Sequence, residues 1–276
     1  MTKMGLPLIT IGIPTYNRGP SLERAINSAV DQDYDNLEII ICDNASTDQT
    51  AEICMRWAQR DSRIRYHRHA SNIGAVANFN SLSAMASGAY FMWLADDDWI
   101  TPNYIKECLA IHVQYPETVL ASGVSQFVVQ SGQSAKGVII QATSTHSWLR
   151  VCKYLLLVRD NSGFYGLMKS DHIRRYPMKS ILAGDWMLIM GMAFKGSIRI
   201  TDSASLTRAA DGESADFDRL MRSYGHSVLA RKFPYVVIGN AVRRELWNNP
   251  DIVARSHWLM RGVGSLAGGL CIVVGQ

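Results

Sequence analysis

Apolar residues over the first hundred positions come in short bursts separated by polar turns, and the bursts alternate between two periods. Residues 8–13 form an apolar run stopped by Pro14, which predicts a buried strand. Between Pro20 and Gln32 the apolar positions Leu22, Ala25, Ile26, Ala29 and Val30 recur at the i, i+3, i+4 spacing of a helix with one buried face. The unit repeats. Residues 37–42 predict a second strand, followed by a helix through about Arg60 whose start carries Ser46 and Gln49 as a capping box. Residues 64–67 and 75–86 predict a third strand and helix, and 90–94 a fourth strand. Such alternation predicts an α/β fold in which a mostly parallel central sheet, joined by right-handed crossovers, is flanked by helices on both faces.

The polar segments after these strands would all open on one edge of that sheet, the edge where open α/β sheets bind ligands. The fourth strand runs directly into Asp96, Asp97 and Asp98, with Thr101 as an N-cap and Pro102 in the first turn of the next helix. Three adjacent carboxylates repel one another unless a cation or hydrogen-bond donors compensate, and Mg²⁺ or Mn²⁺ with their preference for oxygen ligands would do so best. A solvated acidic turn is the plainer reading. Tyr16 offers a face on which a base can stack, Arg18 a cation for phosphate, and Asp43 a carboxylate for base or ribose donors. Singly, each is equally an ordinary aromatic, surface charge or turn residue.

Beyond residue 103 the alternation fades. A helix over 103–114 precedes strands over 118–124 and 126–130, a loop over 131–137, a helix over 143–158 and a strand over 163–169 in which Gly163 and Gly166 permit close backbone approach. Asp185 follows Gly184 at the start of an apolar helix, a position suited to an N-cap. Residues 198–201 read as another strand, and the small, polar stretch 207–216 as an active-site lid. From Phe217 the chain reads as helices carrying Tyr224, Phe233, Tyr235, Trp247 and Trp258 among arginines.

The totals narrow the function classes. At 276 residues, 47% hydrophobic and 19% charged, the chain is globular and long enough for a large core. The five cysteines are widely spaced without a Cys-x-x-Cys pair, so neither a disulfide framework nor a structural zinc site is expected. The start lacks the pattern of a signal peptide and no apolar run reaches the roughly 18 residues of a membrane span, so a cytoplasmic protein is expected. The net charge of +4 is unevenly placed: residues 219–262 carry eight Arg or Lys against Glu245 and Asp251. Basic and aromatic residues on amphipathic helices suit an anionic membrane surface as well as ordinary packing. They do not amount to a nucleic-acid reading surface.

Four segments in order carry a resemblance. Ile13-Pro-Thr-Tyr-Asn-Arg18, Asp43-Asn-Ala-Ser-Thr-Asp48, Asn72-Ile-Gly-Ala-Val-Ala-Asn78 and Leu94-Ala-Asp-Asp-Asp-Trp99 resemble the signature of the family 2 glycosyltransferases, over roughly residues 7–215. The resemblance implies a GT-A-type, Rossmann-like catalytic domain over 1–215, with a nucleotide-binding half to about 102 and an acceptor half after it. Residues 216–276 then form a helical extension. It further implies a nucleotide-sugar donor, read here as a UDP-sugar, a divalent metal, Mn²⁺ or Mg²⁺, inversion at the sugar carbon, and a saccharide or lipid-linked acceptor; the protein itself is expected in the cytoplasm, peripheral at the inner face of the plasma membrane.

Carried onto this chain, it places Pro14, Thr15, Tyr16, Arg18, Asp43, Asn72, Gly74, Asp96 and Arg208 at the donor, with Asn78 less firmly attached. Asp97 and Asp98 fall on the metal and Asp185, in Gly184-Asp185-Trp186, becomes the general base. Two departures stand out: Ala95 replaces the first acid of the usual Asp-x-Asp-Asp, and Arg208-Ala209-Ala210 stands where relatives have Arg-x-His. These departures motivate an alternative, a noncatalytic nucleotide-sugar binder. A sugar nucleotidyltransferase ranks last, since its Gly-rich loop after the first strand is missing.

Overall fold

The computed structural model describes residues 5–128, 134–209 and 221–249 apart from 223 and 226, together with residue 252. Strand β1 (Ile9–Thr15) leads to helix α1 (Gly19–Val30), β2 (Leu37–Asp43) to α2 (Thr50–Arg60), β3 (Ile64–Arg68) to α3 (Ala75–Met85), and β4 (Tyr90–Trp93) completes the series. These four strands pair in parallel in the order β3-β2-β1-β4. Thr15 lies beside Asp43 and Asp43 beside Arg68, so the strands end level and their exits open on one edge.

The second half continues the same sheet. β5 (Trp99–Ile100), α4 (Tyr104–Gln114), β6 (Thr118–Val128), β7 (Ser134–Lys136) and α5 (Ser147–Leu157) are followed by a 3₁₀ turn (Ser162–Tyr165), β8 (Leu167–Lys169), α6 (Ser170–Arg175), α7 (Gly184–Lys195) and β9 (Ser197–Ala209). Beyond β4 the order runs β8-β6-β9-β5, with β7 on the free side of β6. β8 is antiparallel to both neighbours, whereas β6 and β9 form a long parallel ladder.

Strand periodicity sorts the core onto two faces. Ile9, Ile11, Ile13, Ile39 and Ile41 pack with α1, α2 and α4, whereas Ile40, Cys42, Phe91 and Trp93 pack with α3, α5 and α7. Each such side chain, fully buried, contributes about 1.5–3 kcal/mol. Gly12 belongs to the second face, where a Cβ would stand 3.0 Å from the Phe91 ring and 3.1 Å from Leu82. Met221, Ile238, Val242 and Leu246 join that second cluster. The helix Pro234–Asn248 therefore packs on the same core as α7.

Several local expectations are corrected. The capping box at Ser46 and Gln49 does not form: Ser46 Oγ accepts from Asn17 N instead, and α2 begins at Thr50, whose N–H is accepted by Asp48 Oδ1. Thr101 caps no helix: α4 begins at Tyr104 with Asn103 as its N-cap, so Pro102 precedes the helix, and Thr101 Oγ1 accepts from Ser205 N. The two strands expected over 118–130 are one, β6, and the loop expected at 131–137 contains β7. The strand expected from Gly163 starts only at Leu167, after the 3₁₀ turn. The strand expected over 198–201 runs on to Ala209, because β6 offers it a partner on both sides of a bulge at 202–204. Of the lid expected over 207–216, residues 207–209 belong to β9 and the remainder lies outside the described residues, as does Trp258.

Candidate active site

A cavity of about 420 Å³ sits at the carboxyl ends of β1, β2 and β4. Its wall contains Pro14, Thr15, Tyr16, Arg18, Asn72, Asp96, Asp97, Asp98 and Arg208, nine of the positions that the sequence singled out. Asp43, Gly74 and Asp185 stand outside this wall. Fully buried Asp43 receives Ser46 N at 2.8 Å on Oδ1 and Tyr66 Oη at 2.9 Å on Oδ2, with Arg68 Nε 3.4 Å away. It holds together the loop whose next residue, Asn44, does reach the cavity.

Asn44 in turn organises the following loop. Its Nδ2 donates to Asn72 Oδ1 and its Oδ1 accepts from Ile73 N. Asn72 Oδ1 also accepts from Gly74 N, and Gly74 takes φ 87°, a conformation that glycine adopts without strain. Among the described residues four non-glycine positions also adopt positive φ: Asn17 and Ala45, next in sequence to the cavity-lining Tyr16, Arg18 and Asn44, and Asn161 and Ala183, which flank Asp185 in space or sequence. Strained backbone collects where a site must be held in shape.

The acidic loop is clamped from an unexpected direction. β5 pairs antiparallel with the end of β9, bringing Trp99 beside Thr207, and Asp98 Oδ1 accepts from Ala209 N at 3.2 Å. A bulge opposite Gly123–Val124 of β6 lets the far end of β9 make this turn. Burial pushes the Asp98 carboxyl up to about 7, with Arg208 pulling the other way, and burial with repulsion from Asp97 pushes Asp96 up to about 7. Asp98 Oδ2 and Arg208 Nε lie 3.4 Å apart, yet neither completes a hydrogen bond. An oxygen-only donor set with mutual repulsion and a buried, unsatisfied carboxylate oxygen fits a hard divalent ion.

Arg208 is also the hinge between this cavity and a second of about 440 Å³. The two share Ala75, Phe79, Tyr165, Arg208 and Ala209 as walls, and Asp185 lines the second. Arg208 Nη1 donates to Asp160 O and Ser162 Oγ, and its guanidinium lies 4.9 Å from the Tyr165 ring centre. Beneath, Trp93 stacks on Phe164 with centroids 4.6 Å apart and anchors the 3₁₀ turn.

Asp185 is not the N-cap of α7. Ala183 occupies that position and Asp185 lies in the first turn. Its half-buried carboxyl accepts from Asn161 Nδ2 at 2.7 Å on Oδ2, while Asn161 Oδ1 accepts from Tyr154 Oη at 2.6 Å. Burial raises the Asp185 carboxyl above its ordinary value, and the Asn161 hydrogen bond opposes the rise. Sequence reasoning missed Asn161 and Tyr154, and it gave Asn44 no functional role of its own. An Asn before a Ser-Gly pair could have suggested a left-handed turn, but not its partner 24 positions on.

Parallel strands ending level around an acidic, arginine-lined cavity define an α/β protein with a ligand crevice at the carboxyl edge of its sheet. The family model described as "Glycosyl transferase family 2" matches residues 10–168, and the chain belongs to that family. Abequosyltransferase RfbV of Salmonella typhimurium is 33% identical over 157 residues, covering 56% of this chain and 45% of RfbV. The chain spans less than half the length of the curated relatives it matches. Among solved structures, TarS 1–349 of S. aureus in complex with UDP is 16% identical with TM-score 0.59, covering 97% of this chain and 81% of that one. Mannosyltransferase PcManGT of Pyrobaculum calidifontis, in complex with GDP-Man and Mn²⁺, is 15% identical with TM-score 0.57, covering 98% and 81%. At such identity the likeness concerns the fold, which is the GT-A-type sandwich.

Proposed function

We propose that the protein is an inverting glycosyltransferase that moves a sugar from a nucleotide-diphosphate donor, UDP-linked by preference, to an acceptor hydroxyl. The observation that carries this reading is the pair of cavities joined at Arg208, one acidic and arginine-lined, the other containing a half-buried carboxylate. TarS with UDP and PcManGT with GDP-Man support a nucleotide-sugar in the first cavity. Tyr16 then faces the base, Asn72 and Asp96 the ribose side, and Arg18 and Arg208 the diphosphate. The acceptor, a saccharide or lipid-linked saccharide, enters the second cavity.

Asp185 Oδ1 takes the proton of the acceptor hydroxyl, while Oδ2 stays fixed by Asn161. The acceptor oxygen attacks the anomeric carbon from the face opposite the leaving group, the bond from that carbon to the diphosphate oxygen breaks, and the nucleoside diphosphate leaves. Arg18 and Arg208 neutralise the charge that develops on it. Asp97 and Asp98 are the residues that would hold Mn²⁺ or Mg²⁺, which when bound supplies further neutralisation at the diphosphate. A noncatalytic binder would leave the Tyr154–Asn161–Asp185 chain without a task.

A panel of nucleotide-sugars, read by nucleoside-diphosphate release with and without Mn²⁺, tests the reading. Asp185→Asn should lower turnover by about 10²–10⁴-fold while nucleotide binding persists. Near-normal turnover in that variant would remove Asp185 from the chemistry.

A further inference from the structure

A second cluster of ligand-type side chains lies on the other side of Asp43 and takes no part in the proposed transfer. Cys42, the residue before Asp43, is fully buried at the end of β2, and its register partner on the edge strand β3 is His67. One residue past that strand, His69 returns to the same place: its N–H donates to Asp43 O at 2.9 Å and its Nε2 stands 3.3 Å from Cys42 Sγ. The rings of His67 and His69 meet edge to face with centroids 4.9 Å apart. One ligand atom from each of the three residues falls within 4.8 Å of the others.

We propose that Cys42, His67 and His69 form a second metal site, for a borderline-soft divalent ion of the Zn²⁺ type, stapling the ends of β2 and β3. One thiolate and two imidazoles make a donor set that hard Mg²⁺ does not favour and Zn²⁺ does. At metal–ligand lengths of about 2.0–2.3 Å, tetrahedral ligands stand about 3.3–3.6 Å apart. The Cys42–His69 pair, at 3.3 Å, lies at that spacing, and the remaining pairs, within 4.8 Å, would close on the ion as the exposed His67 side chain turns toward it. The fourth position faces solvent on the His67 side and takes water. Binding replaces the thiol proton of Cys42, so one proton is released per ion bound. No sequence signal announced the site: Cys42 is 25 residues from His67, and the register of an edge strand joins them.

Occupancy would tether the start of the 69–74 loop, whose Asn72 lines the donor cavity. That consequence rests on the proposed function, whereas the binding does not, and the test separates the two. Full-length protein is titrated with Co²⁺ as a spectroscopic probe, then with Zn²⁺ against a chromophoric chelator, both without nucleotide. The expected result is one equivalent bound with a thiolate-to-cobalt charge-transfer band, displaced by Zn²⁺ and accompanied by a rise in melting temperature. His67→Ala, an exposed change that should leave the fold intact by circular dichroism, should weaken binding at least tenfold, and Cys42→Ser should abolish the band. Absence of the band, or a band unchanged in both variants, overturns the proposal; the second outcome would put the ion on another thiol such as half-exposed Cys152. Ions held only by Asp96–Asp98 give no thiolate band, so the acidic site cannot mimic the result.

Discussion

In the proposed transfer, one hydrogen bond from Asn161 sets both the charge and the aim of the Asp185 carboxylate. Removing the amide of Asn161 takes away a donor that favours the ionised carboxylate, so burial would raise the Asp185 carboxyl further. Asn161→Ala should therefore move the acid limb of the kcat/KM profile to higher pH and lower kcat by about tenfold or more. Tyr154→Phe should shift the limb in the same direction by less, since it acts one bond away. A profile unmoved in Asn161→Ala would reduce Asn161 to packing. Ala45, with φ 64°, makes a separate prediction. Relief of left-handed strain should let Ala45→Gly gain up to about 1 kcal/mol, read as a raised urea midpoint. Neither conformation is written in the residues. Asn tolerates a left-handed backbone, but alanine signals nothing of the kind.

Glu38 shows what an element can hide. It sits in β2 at 8% exposure, where a pattern reader expects an apolar side chain. Thr10 of β1 donates to it at 2.6 Å, Ser87 before β4 donates through N and Oγ, and Arg65 of β3 pairs with it. One carboxylate thus ties the starts of four parallel strands. Burial alone would raise its proton affinity, but the Thr10, Ser87 and Arg65 hydrogen bonds outweigh that and hold it below its ordinary value of 4.5. Its contribution is therefore present above about 4.5 and lost as pH falls through the lower folded value. Glu38→Ala should cost about 2–4 kcal/mol at neutral pH in denaturant melts, with the deficit shrinking at acid pH. The element types of this half, by contrast, were legible: α1 presents Leu22, Ala25, Ile26 and Ala29 to the core as its spacing demands. The second half was less so. Strand β8 has three residues, too few to display a period, and it exists because β4 and β6 leave a slot between them.

At the scale of the molecule, the helix Pro234–Asn248 buries Ile238, Val242 and Leu246 on the core yet leaves Val236 and Trp247 exposed beside Arg243 and Arg244. Exposed Val228 and Phe233 stand just before it. No helix among the described residues is long and apolar enough to cross a membrane. We propose that these exposed apolar and basic residues dock on an anionic surface, which predicts that full-length protein co-sediments with anionic vesicles at low salt and is released by high salt. Arg243→Glu with Arg244→Glu should weaken the association without changing donor binding. Protein that stays in solution with such vesicles at low salt would leave this surface as ordinary solvated exterior.

What the sequence determined by itself was local and periodic: the βα units of the first hundred residues, the polar exits after the parallel strands, and the eight named positions on those exits, Arg208 excepted, that meet in one cavity. Those follow from chain order, because parallel strands joined by crossovers bring their carboxyl ends to the same edge. Only the tertiary structure decided which residues face each other across long separations. The return of β9 onto β5 sets Arg208 and Ala209 against Asp98, Asn161 reaches Asp185, and the pairing of β3 with β2 sets His67 beside Cys42. These meetings depend on strand register and on a bulge, and neither leaves a mark in the spacing of any single segment.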